Sequence, residues 1–134
     1  MIKQDYLIRM IQDILSLLAN ALLKKQQLQQ RDWDEYDHLT KRILGLTSDD
    51  LMKMNAPMSI DRYADGPERF DKLELAALYL VKLAEEIKDE SLVLRAKLFQ
   101  EALHLLQYIQ ENGNSYSITR LQIIQMLKRE GYSC

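Results

Sequence analysis

Cysteine is nearly missing from this sequence: the single one, Cys134, is the last residue, so no disulfide can form within the chain. That suits a reducing compartment, and the expected location is the cytoplasm. Glycine and proline are also scarce, four and two in 134 residues, which leaves long stretches without a backbone breaker. The four glycines stand alone at positions 45, 66, 113 and 131, so no glycine-rich phosphate loop is present. Charge of one sign is lacking too. Eighteen basic against twenty acidic residues leave a net charge of −2, without the field that draws a polyanion, and no nucleic-acid partner is expected. The apolar N-terminal stretch is broken by Arg9, Gln12, Asp13, Ser16 and Asn20. A membrane span needs about 20 largely apolar residues, so none is expected. Lys3 and Asp5, with no small-residue cleavage site after them, argue against a signal peptide.

What the chain does have is Leu, Gln, Lys, Glu and Ala, which lose little side-chain freedom in a helix. The pattern predicts one all-α domain over residues 1–134, of five to six antiparallel helices in hairpins. The first runs from about Lys3 to Gln30, with Asp5, Arg9, Gln12, Asp13, Ser16, Asn20 and Lys24 as its narrow polar stripe. Its apolar surface is wider than one neighbour covers. Asp32 and Glu35 read as a capping box opening a second helix that buries Trp33, Tyr36, Leu39 and Ile43 and stops at Gly45. Thr47 or Ser48 caps a short third. Asn55 to Pro67 then reads as irregular, with Pro67 starting the fourth helix. That helix buries Phe70, Leu73, Ala76, Ala77, Leu80, Ala84 and Ile87. A turn at Asp89 to Ser91 leads to a fifth, with Leu92, Ala96, Phe99, Ala102, Leu103, Leu106 and Ile109 inward. Asn112-Gly113-Asn114 stops it; Ser115 or Ser117 caps a sixth, with Ile118, Leu121, Ile124 and Leu127 inward and Gly131 at its end.

Leu73-x-x-Ala76-Ala77-x-x-Leu80 has the first-helix spacing of a tetratricopeptide repeat, with small residues where two helices approach. Ala96-x-x-Phe99-x-x-Ala102 resembles the second-helix spacing, one residue short. The opening Lys3-Gln4-Asp5-Tyr6-Leu7-Ile8-Arg9-Met10-Ile11 and the later Ile43-Leu44-Gly45-Leu46 resemble an uncharacterised family of small bacterial proteins, found mainly in Gram-positive anaerobes and tetratricopeptide-like in build. The resemblance covers residues 1–50 well and the rest in helical pattern. It implies a bacterial, cytoplasmic, helical protein and lends no catalytic residue, cofactor or substrate.

Material for catalysis is thin. Cys134 sits at a chain end where no base is held beside it. His38 and His104 fall on polar faces. Asp34 and His38, with Asp37 nearby, lie one turn apart as metal ligands would, but first-turn acids also follow from the helix dipole. Glu85, Glu86, Asp89 and Glu90 form an acidic run that reads as a polar helix end. Lys24, Lys25 and Arg31, or Arg120, Lys128 and Arg129, make short basic groups without aromatics interleaved for stacking. No cofactor or metal is therefore expected. The runner-up function is an enzyme using scattered carboxylates with His38 or His104.

The segment Ser59-Ile60-Asp61-Arg62-Tyr63-Ala64-Asp65-Gly66 offers a guanidinium and a phenol beside two carboxylates, a set suited to gripping a peptide's charged groups. Its plainer role is an anchored crossover, with Arg62 paired to Asp61 or Asp65 and Tyr63 packed on the bundle. The expected function is protein–protein interaction, as scaffold or adaptor and not as an enzyme, with Arg62, Tyr63, Asp61 and Asp65 as candidate partner contacts. The first helix raises a second expectation. Its Ile8, Leu15 and Leu22 recur every seven residues, the spacing of a helix–helix seam in a homodimer, unless that helix lies centrally between the second and the fifth.

Overall fold

A computed structural model describes residues 4–24, 29–87, 91–113 and 117–129. Among them the chain is all-α: α1 (Gln4–Leu23), α2 (Gln30–Leu44), α3 (Ser48–Lys53), α4 (Ala56–Arg62), α5 (Arg69–Glu86), α6 (Leu92–Asn112) and α7 (Ile118–Arg129). No strand occurs among the described residues.

The central helix is α5. Its residues Leu75 to Val81 are all buried, a run of seven that a helix with one solvated face cannot have. It is enclosed by α6, α1, α2 and α3. Its partner α6 runs antiparallel to it, because Phe70 near the start of α5 meets Tyr108 near the end of α6, ring centroids 6.3 Å apart. The expected small residues Ala76 and Ala77 are fully buried, as are Ala102 and Leu103 of α6. That lets the two backbones come close, the hairpin that the spacing predicts.

The first helix takes a different place from the expected one. α1 packs on α5 and α7, not centrally between the second and fifth helices. It places Ile11, Ile14, Leu18 and Leu22 in the core. Another apolar edge, Leu7 and Met10, faces Leu39 and Ile43 of α2 across a recess of about 210 Å³. Ile8, Leu15 and Leu22 do not form an exposed seam: Leu22 is only 2% exposed, while Ile8 and Leu15 are half-buried. By length and composition Tyr6–Leu23 is apolar enough to cross a membrane, a stronger signal than its polar interruptions suggest. Core helices pass the same test; a third of this window is buried, with Ile11, Ile14, Leu18 and Leu22 in the core shared with α5.

Local chemistry explains the ends of the elements. Gln30, expected at the tail of the first helix, opens α2, and Asp32 lies in its first turn without acting as a cap. Gly45 closes α2 in the left-handed conformation at φ 70°, its N–H on the Lys41 carbonyl. Thr47 and Asp50 form a reciprocal capping box for α3. The supposedly irregular Asn55–Pro67 segment contains α4: Asn55 accepts from the Met58 N–H, and Pro57 falls in the first turn, where its missing N–H costs nothing. Pro67 precedes α5 by two residues and does not begin it. Two side chains of α6 hold these short helices. Lys97 donates to the Met52 carbonyl at 2.8 Å and Glu101 accepts from the Ala56 N–H at 2.6 Å. Each satisfies a helix-end group that the short helix cannot satisfy itself.

At α7, Ser117 caps by accepting from the Arg120 N–H at 3.1 Å. The inward face is shifted from the expected one: Ile118 is 67% exposed, and Arg120, Ile123, Ile124 and Leu127 are buried. Leu92, expected inward, is exposed with Val93 and Leu94 at the start of α6. Lys3, Lys25, Asp89, Glu90, Asn114, Ser115, Gly131 and Cys134 lie outside the described residues.

Candidate functional site

Helices α1, α5 and α7 part around a cleft of about 420 Å³. The α1 wall presents Gln12, Ser16 and Asn20, three members of the polar stripe spaced one turn apart, with Leu15 and Ala19 beside them. Opposite, α5 contributes Asp71, Glu74 and Leu78, again at steps of three and four. The start of α7, with the Ser117 before it, adds Thr119, Arg120 and Ile123.

Arg120 organises this end of the molecule. Its Nε and Nη2 each donate to one oxygen of Glu74 at 3.1 Å, a two-pronged contact. Its Nη1 donates to Oε1 of Gln110 at 2.6 Å, so one buried side chain ties α7 to both α5 and α6. Asp71, one turn before Glu74 on the same face, is different. It is half-buried and has no hydrogen-bond or ion-pair partner among the described residues. Loss of hydration pushes its pKa above the ordinary aspartate value; the Glu74 charge adds to the rise, Arg120 opposes it, and Glu68 adds a smaller push. Two carboxylates against one guanidinium leave the cleft with a single negative charge in excess. Chemically, it offers neutral amides and hydroxyls on one side and a poorly hydrated carboxylate on the other.

Of the residues singled out in the sequence, Arg62, Tyr63 and Asp65 line a second recess of about 260 Å³ with Glu68, Arg69 and Lys72. Asp61 is exposed and does not line it. Arg62 does not pair with Asp61 or Asp65: its Nη2 donates to the Gly45 carbonyl at 3.1 Å, and its guanidinium stands 5.8 Å from the Tyr63 ring centre. Tyr63 is buried and donates to the Leu44 carbonyl at 2.7 Å; burial raises its phenol pKa. Both side chains fasten α4 to the end of α2, as an anchored crossover requires. The reason for the partner change is Gly45, whose open helix end offers a carbonyl that a guanidinium can reach.

His38 and His104 are exposed on α2 and α6. Asp34 accepts from Gln30 Nε2 at 2.8 Å, while Asp37 accepts from the Tyr79 hydroxyl and pairs with Lys41 at 2.9 Å. Among the described residues no three His, Cys, Asp or Glu side chains gather as metal ligands would. Arg120, grouped by sequence with Lys128 and Arg129, is buried, while those two are exposed. Asp71 and Glu74 drew no notice in the sequence. The signal was there: two acids and Leu78 share a face of a helix whose other faces are apolar, so that face had to meet either solvent or a buried base.

No protein-family model, curated protein or solved structure matches this chain.

Proposed function

We propose that this chain is a protein-interaction module, a scaffold or adaptor, which docks a segment of another protein in the cleft between α1, α5 and α7. The lining of that cleft supports the reading. Gln12, Ser16, Asn20 and Thr119 supply neutral donors and acceptors on two helices, and a peptide backbone presents one donor and one acceptor at nearly every residue. Pockets for small molecules are mostly apolar, and this one is mostly polar. The hairpin of α5 and α6, and the resemblance to small tetratricopeptide-like bacterial proteins, favour the same class of function in a bacterial cytoplasm. Asp61 and Asp65, exposed beside the fastened Arg62 and Tyr63, make a lesser contact for the same partner. A homodimer along Ile8, Leu15 and Leu22 has weaker support, since the chain's own core encloses Leu22.

The test is a photo-crosslinking amino acid placed at Asn20, and in a separate protein at His38 outside the cleft, in the source cells. One discrete partner should crosslink from Asn20, and Ser16→Arg, which fills the cleft, should abolish it. A partner captured from His38 and never from Asn20, or crosslinking indifferent to Ser16→Arg, overturns the reading.

A further inference from the structure

We propose that the α1–α5–α7 cleft is a receptor for a basic side chain, a lysine or arginine carried on the docked segment, with Asp71 as its counter-ion. The inference rests on the docking reading above and specifies its chemistry.

Three observations converge on it. The first is an unmet need. Asp71 is a half-buried carboxylate that faces a cavity without a hydrogen-bond or ion-pair partner among the described residues. Partial loss of hydration disfavours its charge, and a cation delivered from outside would restore what hydration no longer supplies. Its neighbour Glu74 does not compete for such a cation, because both of its oxygens already accept from Arg120. Arg120 in turn is occupied by Glu74 and Gln110 and adds only a partial counter-charge. The negative excess is thus concentrated on Asp71.

The second is shape. From Asp71 to Leu78 the cleft follows α5 for seven residues, about 10 Å at the rise of an α-helix. Half-buried Leu15 supplies apolar surface in the same cavity, over a floor of Ala19, Leu78 and Ile123 that is itself almost fully enclosed. A lysine or arginine needs this combination, because its aliphatic stem packs on apolar groups while its head reaches a carboxylate. A small metal ion would find only one free carboxylate, too few oxygen ligands for Ca²⁺ or Mg²⁺.

The third is the wall opposite. Gln12, Ser16 and Asn20 are exposed along a single stripe of α1. They can bond the backbone on either side of the basic residue without adding charge, so the selectivity falls to Asp71.

Capped pentapeptides Gly-Gly-X-Gly-Gly, with X as lysine, arginine, norleucine or glutamate, are the probes, titrated into the full chain labelled with ¹⁵N. The lysine and arginine peptides should shift the amide signals of Gln12, Ser16, Asp71 and Thr119. Norleucine should bind at least tenfold more weakly, and glutamate not at all. Asp71→Asn, nearly the same in shape, should lose the lysine preference while melting no lower than the wild type, since the carboxylate it removes is disfavoured by burial. Equal binding of all four peptides in the cleft overturns the cation site and leaves the docking reading standing. Lysine binding that survives Asp71→Asn, shifts confined to another face, or no binding by any peptide also overturns it. The crosslinked partner then judges the docking reading separately.

Discussion

Arg120 is a buried cation satisfied by a two-pronged carboxylate, and the stability of such a pair depends on both halves being present. Glu74→Gln leaves the guanidinium enclosed against a neutral amide, and we expect a loss of about 3 kcal/mol in urea unfolding. Replacing the pair together, Glu74→Leu with Arg120→Met, should recover most of that loss, since two desolvated charges leave at once. If the single and double variants unfold alike, the pair is not a coupled unit. Tyr79 tests another buried polar group. Its hydroxyl donates to Asp37 and lies 2.8 Å from the Ser48 hydroxyl, while Trp33 stacks on its ring. Burial first, and then the Asp37 contact, hold its proton far more tightly than in free tyrosine. A folded-state pKa raised above 10.0 adds stability that is complete below that pH and is lost as pH rises beyond it. Tyr79→Phe should therefore cost about 1 kcal/mol near neutral pH, with the gap to wild type closing in alkaline solution. A gap that stays constant past the tyrosine range would refute the assignment. The acidic face of α5 was legible in the sequence, but neither pairing was, because Glu74 and Arg120, like Asp37 and Tyr79, find each other only through tertiary packing.

Elements are where the sequence spoke most clearly and also where it misled. Thr47 and Asp50 announce the start of α3, and Gly45 the end of α2, because a cap is written in residues only a few positions apart. Gly45→Ala must place a β-carbon in the left-handed region, 3.4 Å from Arg62 Nη2. A loss of about 1 kcal/mol is expected in thermal or urea unfolding, and an unchanged midpoint would mean that α2 ends differently. The α4 helix escaped notice because two prolines suggested a loop. A proline in a first turn punctuates nothing, and Asn55 was the better clue. The burial of α5 on all sides was half legible. Leu73, Ala76, Ala77, Leu80 and Ala84 show the helical period, but Leu75, Leu78, Tyr79 and Val81 become core only because α1, α2 and α3 cover the remaining faces. In α7, a helix whose inward face includes an arginine defeats any reading that places apolar residues inward by rule. Ala77→Leu adds three heavy atoms where nothing is exposed, and should cost about 1–3 kcal/mol. An unaltered melt would show that the α5 face has been misplaced.

For the whole molecule, a shared core with one enclosed helix implies a gradient of protection. Amides of Leu75 to Val81 should exchange with solvent at the rate set by global unfolding, whereas those of α3 and α4 should exchange through smaller openings. Uniform rates across the seven helices would contradict that order. The two contacts that α6 makes with these short helices also have a consequence for synthesis. Ala56 and Glu101 are separated by 45 residues, as are Met52 and Lys97. On a ribosome adding about 5–20 residues per second, the segment that becomes α3 and α4 emerges roughly 2–9 seconds before the side chains that hold it. Helices so short do not persist alone in water. During that interval the segment can lean only on α2 and then α5, through Arg62, Tyr63 and Ser48, and the packing of α3 and α4 is complete only after α6 has left the exit tunnel.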